Sequence, residues 1–466
     1  MRKRIAIVGG GIAGLAAAVR VRDRAPRDTE IIVYEQTGVL GGKLRTGELA
    51  GVGVERGAES FLVAAPDGTD SAALRLTRRL GLGDALVHPS AGTAALAVDG
   101  RLEPIPPGTL MGVPRESPGP DPDRGRPLLG PDDDVAVGEL VRARYGDATV
   151  DRLVDPMLGG VYAGHADQLS LVTTMPALAA AARTEHTLAA AVRAAQAATV
   201  GVPGRPVFAT VDGGLTRLVA AAAAAAGARI SLGLPVRDLA RTAHGWRLLL
   251  GPVSSPPGFS VGSGGTAAPT DDVDAVVLAV PARAAARLLH GVDAGAAAAI
   301  AALDYASVAL AGFALPPGTP LPDLSGFLVP PAEGTLVKAA TFVTRKWAHL
   351  RRDGGPVIVR ASLGRAGEEA RLQLDDGTLT AIAHAELGRL IGAPLPPPVA
   401  SWVQRWGGGL PQYRPGHAGR VAAARAALGV LPGLALAGAA YDGVGIPACV
   451  ASGETAAEDV CKTLED

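Results

Sequence analysis

The stretch VGGGIAGL, residues 8–15, restricts the possible folds more than any other part of the chain. Gly9, Gly11 and Gly14 follow the apolar run Ile5–Val8 and lead into an Ala-rich segment, Leu15–Val21. Behind Arg2, Lys3 and Arg4 such a run imitates a secretory signal peptide. Glycines, however, are poor helix formers and break the apolar region that a signal peptide needs. The pattern instead predicts a buried strand, a tight turn and a helix. Gly9 permits the turn, Gly11 lets backbone N–H groups approach a phosphate, and Gly14 lets helix and strand pack closely. Gly10, Ile12 and Ala13 complete the turn. The start of the helix then presents unpaired N–H groups and a partial positive charge to a pyrophosphate.

The next residues narrow the choice of nucleotide. Ile31–Tyr34 reads as a second parallel strand that ends at Glu35, 21 positions after Gly14. A carboxylate there accepts hydrogen bonds from both ribose hydroxyls and repels a 2′-phosphate, which disfavours NADP. An NAD domain would now enter its crossover helix. The chain continues instead as GVLGGKLRTGELAGVGVERGAESF, with a glycine pair at Gly41 and Gly42, cations at Lys43 and Arg45, and a further glycine turn from Gly57 through Ala58 and Glu59 to Ser60. A chain that passes the same ligand twice suits FAD, which is long enough to need two loops.

The remainder predicts an α/β fold with a discontinuous, Rossmann-like FAD-binding domain made of residues 1–80, 207–285 and 401–466. Residues 81–206 read as a mostly helical domain and 286–400 as a strand-rich, substrate-binding one. PRESPGPDPDRGRPLLGPDDD (114–134), with six prolines, reads as poorly ordered, and 251–272 as a Gly/Ser/Pro-rich connection. At the end, LALAGAA is a buried strand, YDGVGIP a turn and ACVASGETAAEDVCKTL a helix. Pro447 suits a first helical position, so Gly443–Ile446 precede a helix N-terminus that can stabilise negative charge developing on a reduced flavin.

Composition excludes several other classes. A net charge of −1 leaves no basic footprint for nucleic acid. The eight histidines lack ligand spacing, so no metal is expected, and His165 and His417 read as turn or packing residues. Cys449 and Cys461 fall twelve apart in one expected helix, too far along its axis to bridge. No segment reaches the roughly 20 apolar residues of a membrane span. A cytoplasmic protein is expected.

Several internal phrases carry a more specific signal. VYAGHADQLSL (161–171), YASVAL (305–310), SGFLVP (325–330), KAATFVTRKW (338–347), PQYRPGH (411–417) and LAGAAYDGVGIPACVASGETAA (436–457) resemble the protoporphyrinogen oxidase family, and most closely its bacterial branch that acts on coproporphyrinogen III. The resemblance implies FAD contacts at Gly9 to Gly14, Glu35, Gln36, Lys43, Gly57 to Ser60, Val236 through its backbone, Trp406, Val444, Gly445 and Ile446. It implies oxidation of a porphyrinogen to the porphyrin, with dioxygen as acceptor and hydrogen peroxide released, and hand-over of the product to a ferrochelatase-type enzyme. Arg101, Lys338, Arg345 and Lys346 become candidates for the substrate propionates, and no general acid or base is assigned. Two features depart from the family pattern. Ala448 stands where a polar residue is usual, and the proline-rich patch is shorter than the usual helical insertion, so membrane contact is expected to be at most peripheral. A related amine oxidase or carotenoid desaturase would share the early motifs but not the internal phrases. A non-catalytic flavin-fold binding protein would not need every glycine motif retained.

Overall fold

The computed structural model describes residues 2–198, 204–251 and 269–465. Its organising element is a five-stranded parallel sheet centred on the opening strand, Arg4–Val8. Glu30–Glu35 and Ala275–Leu278 pair on either side of it, and Arg229–Leu232 and Leu434–Leu436 form the edges. Strands buried on both faces read as unbroken apolar runs, and IAIV, IIVY and AVVL do so. Alternate residues serve opposite layers. Ile5, Ile7, Ile31 and Val277 pack under helices Ile12–Arg24, Thr216–Ala226 and Ile446–Glu465. Ala6, Val8, Ile32 and Leu278 pack against Trp246 and Leu248 and against helices Ala282–Leu289, Ala294–Ala301 and His417–Leu428.

A second, seven-stranded sheet has the order Ala400–Gln412, Asp304–Leu315, Val357–Leu363, Val337–Phe342, Gly326–Leu328, Ala94–Val98, Arg101–Pro104. One face is sealed by helix Asp376–Ile391 through Phe313, Val359, Ala361 and Leu387. The other receives Leu49, Val52 and Val54 near one end and Ala163, beyond helix Asp155–Tyr162, near the other. A third layer, mostly helices between Val137 and Ala198, closes on its own core of Val141, Val154, Leu158, Leu178 and Val192.

The pairing redraws the block limits expected from the sequence. Ala94–Pro104 lies in the seven-stranded sheet, not with the helices, because Ala95 and Ala97 complete the apolar layer beneath Asp376–Ile391. Residues 401–412 join that sheet too, paired along Asp304–Leu315. Residues 286–303 instead pack on the nucleotide sheet through Leu288, Leu289, Ala297 and Ile300. The proline-rich patch is irregular but anchored. The Asp121 carboxylate is buried against Arg144 at 3.3 Å and accepts from the Ala189 N–H at 3.0 Å. Leu129 enters the helical core. Prolines remove helix-forming N–H donors, so the tethering is by scattered contacts, the Leu128 and Leu129 N–H groups donating to the Glu185 and Ala182 carbonyls at 3.0 and 2.9 Å. The expected connection at 251–272 falls largely outside the described residues. Among the described residues no helix is long and apolar enough to cross a membrane.

Candidate cofactor and active site

The glycines of the first turn do different work. Gly9 has φ +112°, and a Cβ there would lie 2.4 Å from the Ala279 carbonyl oxygen. A Cβ on Gly14 would lie 2.0 Å from the Gly9 oxygen. Both are required by the protein's own packing. Gly11 is not: its φ is −73°, open to any residue, and a Cβ would meet nothing within 4 Å. The open space at Gly11 fronts a helix start that has no side-chain cap and no acidic residue in its first turn. Free N–H groups and the dipole's positive end favour an anion there. The second glycine pair lies directly on the first. Gly41 N–H donates to Gly10 at 2.8 Å, and a Cβ on Gly42 would lie 3.4 Å from the Gly11 Cα. Two side-chain-free loops around one gap fit the pyrophosphate of a dinucleotide.

Glu35 is 9% exposed, and backbone N–H groups anchor both its oxygens: Gly10 to Oε2 and Thr37 to Oε1, each at 2.8 Å. Lone pairs remain for ribose hydroxyls. Val236 is brought to this corner because Leu234 N–H donates to the Glu35 carbonyl at 3.1 Å, whereas Gln36 is exposed. Glu35→Ala removes a charge-assisted acceptor worth about 1.5–3 kcal/mol, so FAD affinity is expected to fall by roughly one to two decades. Fluorescence titration of the apoprotein with FAD checks this, and unchanged affinity would remove Glu35 from the site.

The second loop runs on to the other end of the site. A Cβ on Gly57 would lie 2.0 Å from the Lys43 oxygen, and Ala58 N–H donates to that oxygen at 3.0 Å. Ser60 follows in the same loop. Trp406 Nε1 donates to the Arg56 carbonyl at 2.7 Å, while Arg45 sits over its ring at 5.6 Å. The Lys43 ammonium has no hydrogen-bond or ion-pair partner among the described residues; burial lowers its pKa, and the charge of a Cys449 thiolate would raise it. Cys449 itself is pushed up to about 11, chiefly by burial, so its thiol stays protonated at neutral pH. The thiol lies 3.7 Å from the Gly443 carbonyl. Lys43 on the second loop and Cys449 in the first turn of the last helix, which begins at the turn Val444, Gly445, Ile446, are thus close enough to influence each other's charge. That helix is fixed on the first one at Gly453, where a Cβ would come within 2.1 Å of the Ala13 oxygen. The turn is braced from behind: Arg425 pairs with both Asp442 oxygens at 2.8 and 2.6 Å, and Ser452 Oγ donates to the same carboxylate at 2.7 Å.

Two interactions escaped the sequence reading. Glu59 was expected at the cofactor, but its carboxylate is already used. Lys346 Nζ and Trp347 Nε1 donate to Oε1 at 2.6 and 2.9 Å, and Arg360 lies 2.6 Å from Oε2. The Glu59 carboxylate and the ammonium of Lys346, one of the propionate candidates, are thus engaged with each other in an ion cluster behind the loop. The Asp442–Arg425–Ser452 brace was missed because its members have no local spacing signal. Of the other candidates, Arg101 is exposed on an edge hairpin and Arg345 donates to the Leu321 carbonyl at 3.3 Å. Lys338 is buried in the sheet.

An open glycine cradle, a buried carboxylate at the end of the second strand and a second loop on the same gap define an FAD-dependent oxidoreductase. Residues 12–461 match the flavin containing amine oxidoreductases, and the chain belongs to that family. Within it, the chain is 35% identical over 481 residues to the coproporphyrinogen III oxidase of Mycobacterium tuberculosis H37Rv, covering 98% of this chain and 97% of that protein. It is 28% identical to human protoporphyrinogen oxidase, covering 99% of each. A crystal structure from Exiguobacterium sp. 255-15, provisionally named a protoporphyrinogen oxidase, superposes with a TM-score of 0.81 at 29% identity over the whole of both chains.

Proposed function

We propose that this protein oxidises a porphyrinogen, coproporphyrinogen III, to coproporphyrin III in heme biosynthesis. The observation that carries the reading is full-length similarity to the mycobacterial coproporphyrinogen III oxidase, joined to a glycine cradle that fits FAD. The substrate loses six electrons as three hydride-and-proton pairs, and dioxygen takes each pair up as hydrogen peroxide. Bound in the cradle, FAD supplies the two-electron oxidation. The protein's part is to hold and polarise. Gly11 and the first helix start take the pyrophosphate, Glu35 takes the ribose, and Trp406 and Val444–Ile446 bound the reacting end. The last helix, with no acidic residue in its first turn, directs free N–H groups at charge that develops there. The product is handed to a ferrochelatase-type enzyme in the cytoplasm, with membrane contact at most peripheral; burial of Leu129 takes away apolar surface that a bilayer would need.

Matched assays with coproporphyrinogen III and protoporphyrinogen IX test this reading. We expect higher kcat/KM for coproporphyrinogen III and a peroxide-to-porphyrin ratio approaching three. The reverse order of kcat/KM would assign the enzyme to protoporphyrinogen IX instead.

A further inference from the structure

Resting on porphyrinogen oxidation as the reaction, we propose that Lys338 is a positioning residue: it ties the last turn of helix Asp155–Tyr162 to the seven-stranded sheet and so fixes the wall beside Trp406. Lys338 occupies a bulge. Its strand pairs Val337 with Leu363 but Ala339 with Ser362, so one residue of Val337–Phe342 is extra. Bulges re-aim side chains and gather near active sites. Val337 and Ala340 point into the layer beneath Asp376–Ile391. Lys338 reaches the other way, and its Nζ donates to the Gly159 carbonyl at 3.0 Å.

That carbonyl also accepts the Ala163 N–H at 2.9 Å, closing the helix with Ala163 in the left-handed region at φ 55°. Ala163 in turn accepts from Ala366 N–H at 2.7 Å. It is fully buried against Ala306 and Val308, in a cluster that Trp406 and Leu410 complete. One hydrogen bond from Lys338 therefore sets a three-link path to the ring beside the cofactor site. A leucine could join helix to sheet more cheaply, since burying an unpaired ammonium costs several kcal/mol. Lys338 is 3% exposed and has no carboxylate within ion-pair distance among the described residues.

The charges around it are mixed. Arg365, also 3% exposed, is the nearby cation and donates to the Thr335 and Val329 carbonyls at 3.0 Å. On the helix, Asp155 faces Arg365 and lies 3.4 Å from His165 Nδ1. Glu386, on the helix across the sheet, accepts the Leu336 and Val337 N–H groups, and Glu368 and Arg371 act on Arg365 from the following loop. Burial first, then Arg365, lowers the Lys338 ammonium to about 7. Below that pH the bond to Gly159 is charge-assisted; above it the neutral amine holds the carbonyl more weakly.

The test measures kcat and KM for coproporphyrinogen III on the FAD-loaded enzyme between pH 6 and 8.5. For wild type, KM should rise as the pH passes about 7. In Lys338→Met, KM should already be raised about tenfold at pH 6.5, the loss of one charge-assisted bond, with no rise through neutrality. Its kcat and FAD content should stay within about twofold, and Lys338→Arg should recover most of the KM. His165, whose pKa is raised mainly by its hydrogen bond to Asp155, is the other titratable group packed against this helix, so His165→Gln serves as the control and should keep the rise. A KM unchanged in Lys338→Met, or a rise that survives there, overturns the proposal. So does a rise that vanishes in His165→Gln, or a flat wild-type profile, which decides the matter even if Lys338→Met does not fold. Failure of the wild type to turn over the substrate would instead overturn the reaction on which the proposal rests.

Discussion

Gly11→Val is expected to fold normally and to lose FAD. A Cβ at Gly11 meets no protein atom within 4 Å, and φ −73° suits a branched residue. The added methyls enter the gap between the two glycine loops, where the pyrophosphate must meet bare backbone. We expect FAD affinity to fall by at least about 100-fold, roughly 2.7 kcal/mol, while the thermal midpoint of the apoprotein stays within a degree or two of wild type. Titration of both apoproteins with FAD, beside their melting curves, checks both halves. Gly14→Val provides the contrast. Its Cβ would sit 2.0 Å from the Gly9 oxygen, so it should destabilise the apoprotein itself. A Gly11→Val protein that binds FAD normally would place the pyrophosphate elsewhere.

Arg360→Met is expected to cost about 3–5 kcal/mol of stability, because it leaves the Glu59 carboxylate buried with part of its counter-charge removed. Arg360 also donates to the Glu55 and Gly57 carbonyls at 3.0 and 3.1 Å, tying the second cofactor loop to the seven-stranded sheet. Burial raises the Glu59 pKa, but Arg360 and then Lys346 outweigh it and hold the carboxyl at about 2. A carboxyl depressed on folding stabilises the protein above its unfolded pKa, and that contribution is lost as pH falls through the folded one. In the variant the depression is smaller, so the stability gap from wild type should be full at pH 7 and narrow below about pH 4.5. Urea melts at pH 7, 5 and 4 measure it. A gap that is absent at pH 7, or that widens on acidification, would contradict this role for the ion cluster.

What could be read from the sequence was local. The turn at Gly9–Gly14, the strand ending at Glu35 and the return of glycines at Gly41–Gly42 are each defined by residues within one βαβ unit, and the structure stacks the two loops directly. Long-range pairing was not legible. Lys346 and Glu59 are 287 positions apart, so neither residue's neighbours reveal that their charges are spent on each other. The bulge that re-aims Lys338 depends on register with a partner strand and leaves no trace in VKAATF. Sheet membership of Ala94–Pro104 and of residues 401–412 is hidden for the same reason. The prolines of 114–134 correctly report the loss of regular structure. They say nothing of packing, which depends on Asp121 finding Arg144 at a distance.

FAD held in this cradle is expected to take electrons from a porphyrinogen. Mixing the purified yellow protein with coproporphyrinogen III under strict anaerobiosis, and following flavin absorbance near 450 nm, tests it directly. We predict bleaching in step with the appearance of porphyrin, faster than with protoporphyrinogen IX, and return of the yellow colour when air is admitted. A flavin that stays oxidised while the wild-type protein holds its full complement of FAD would contradict the assignment.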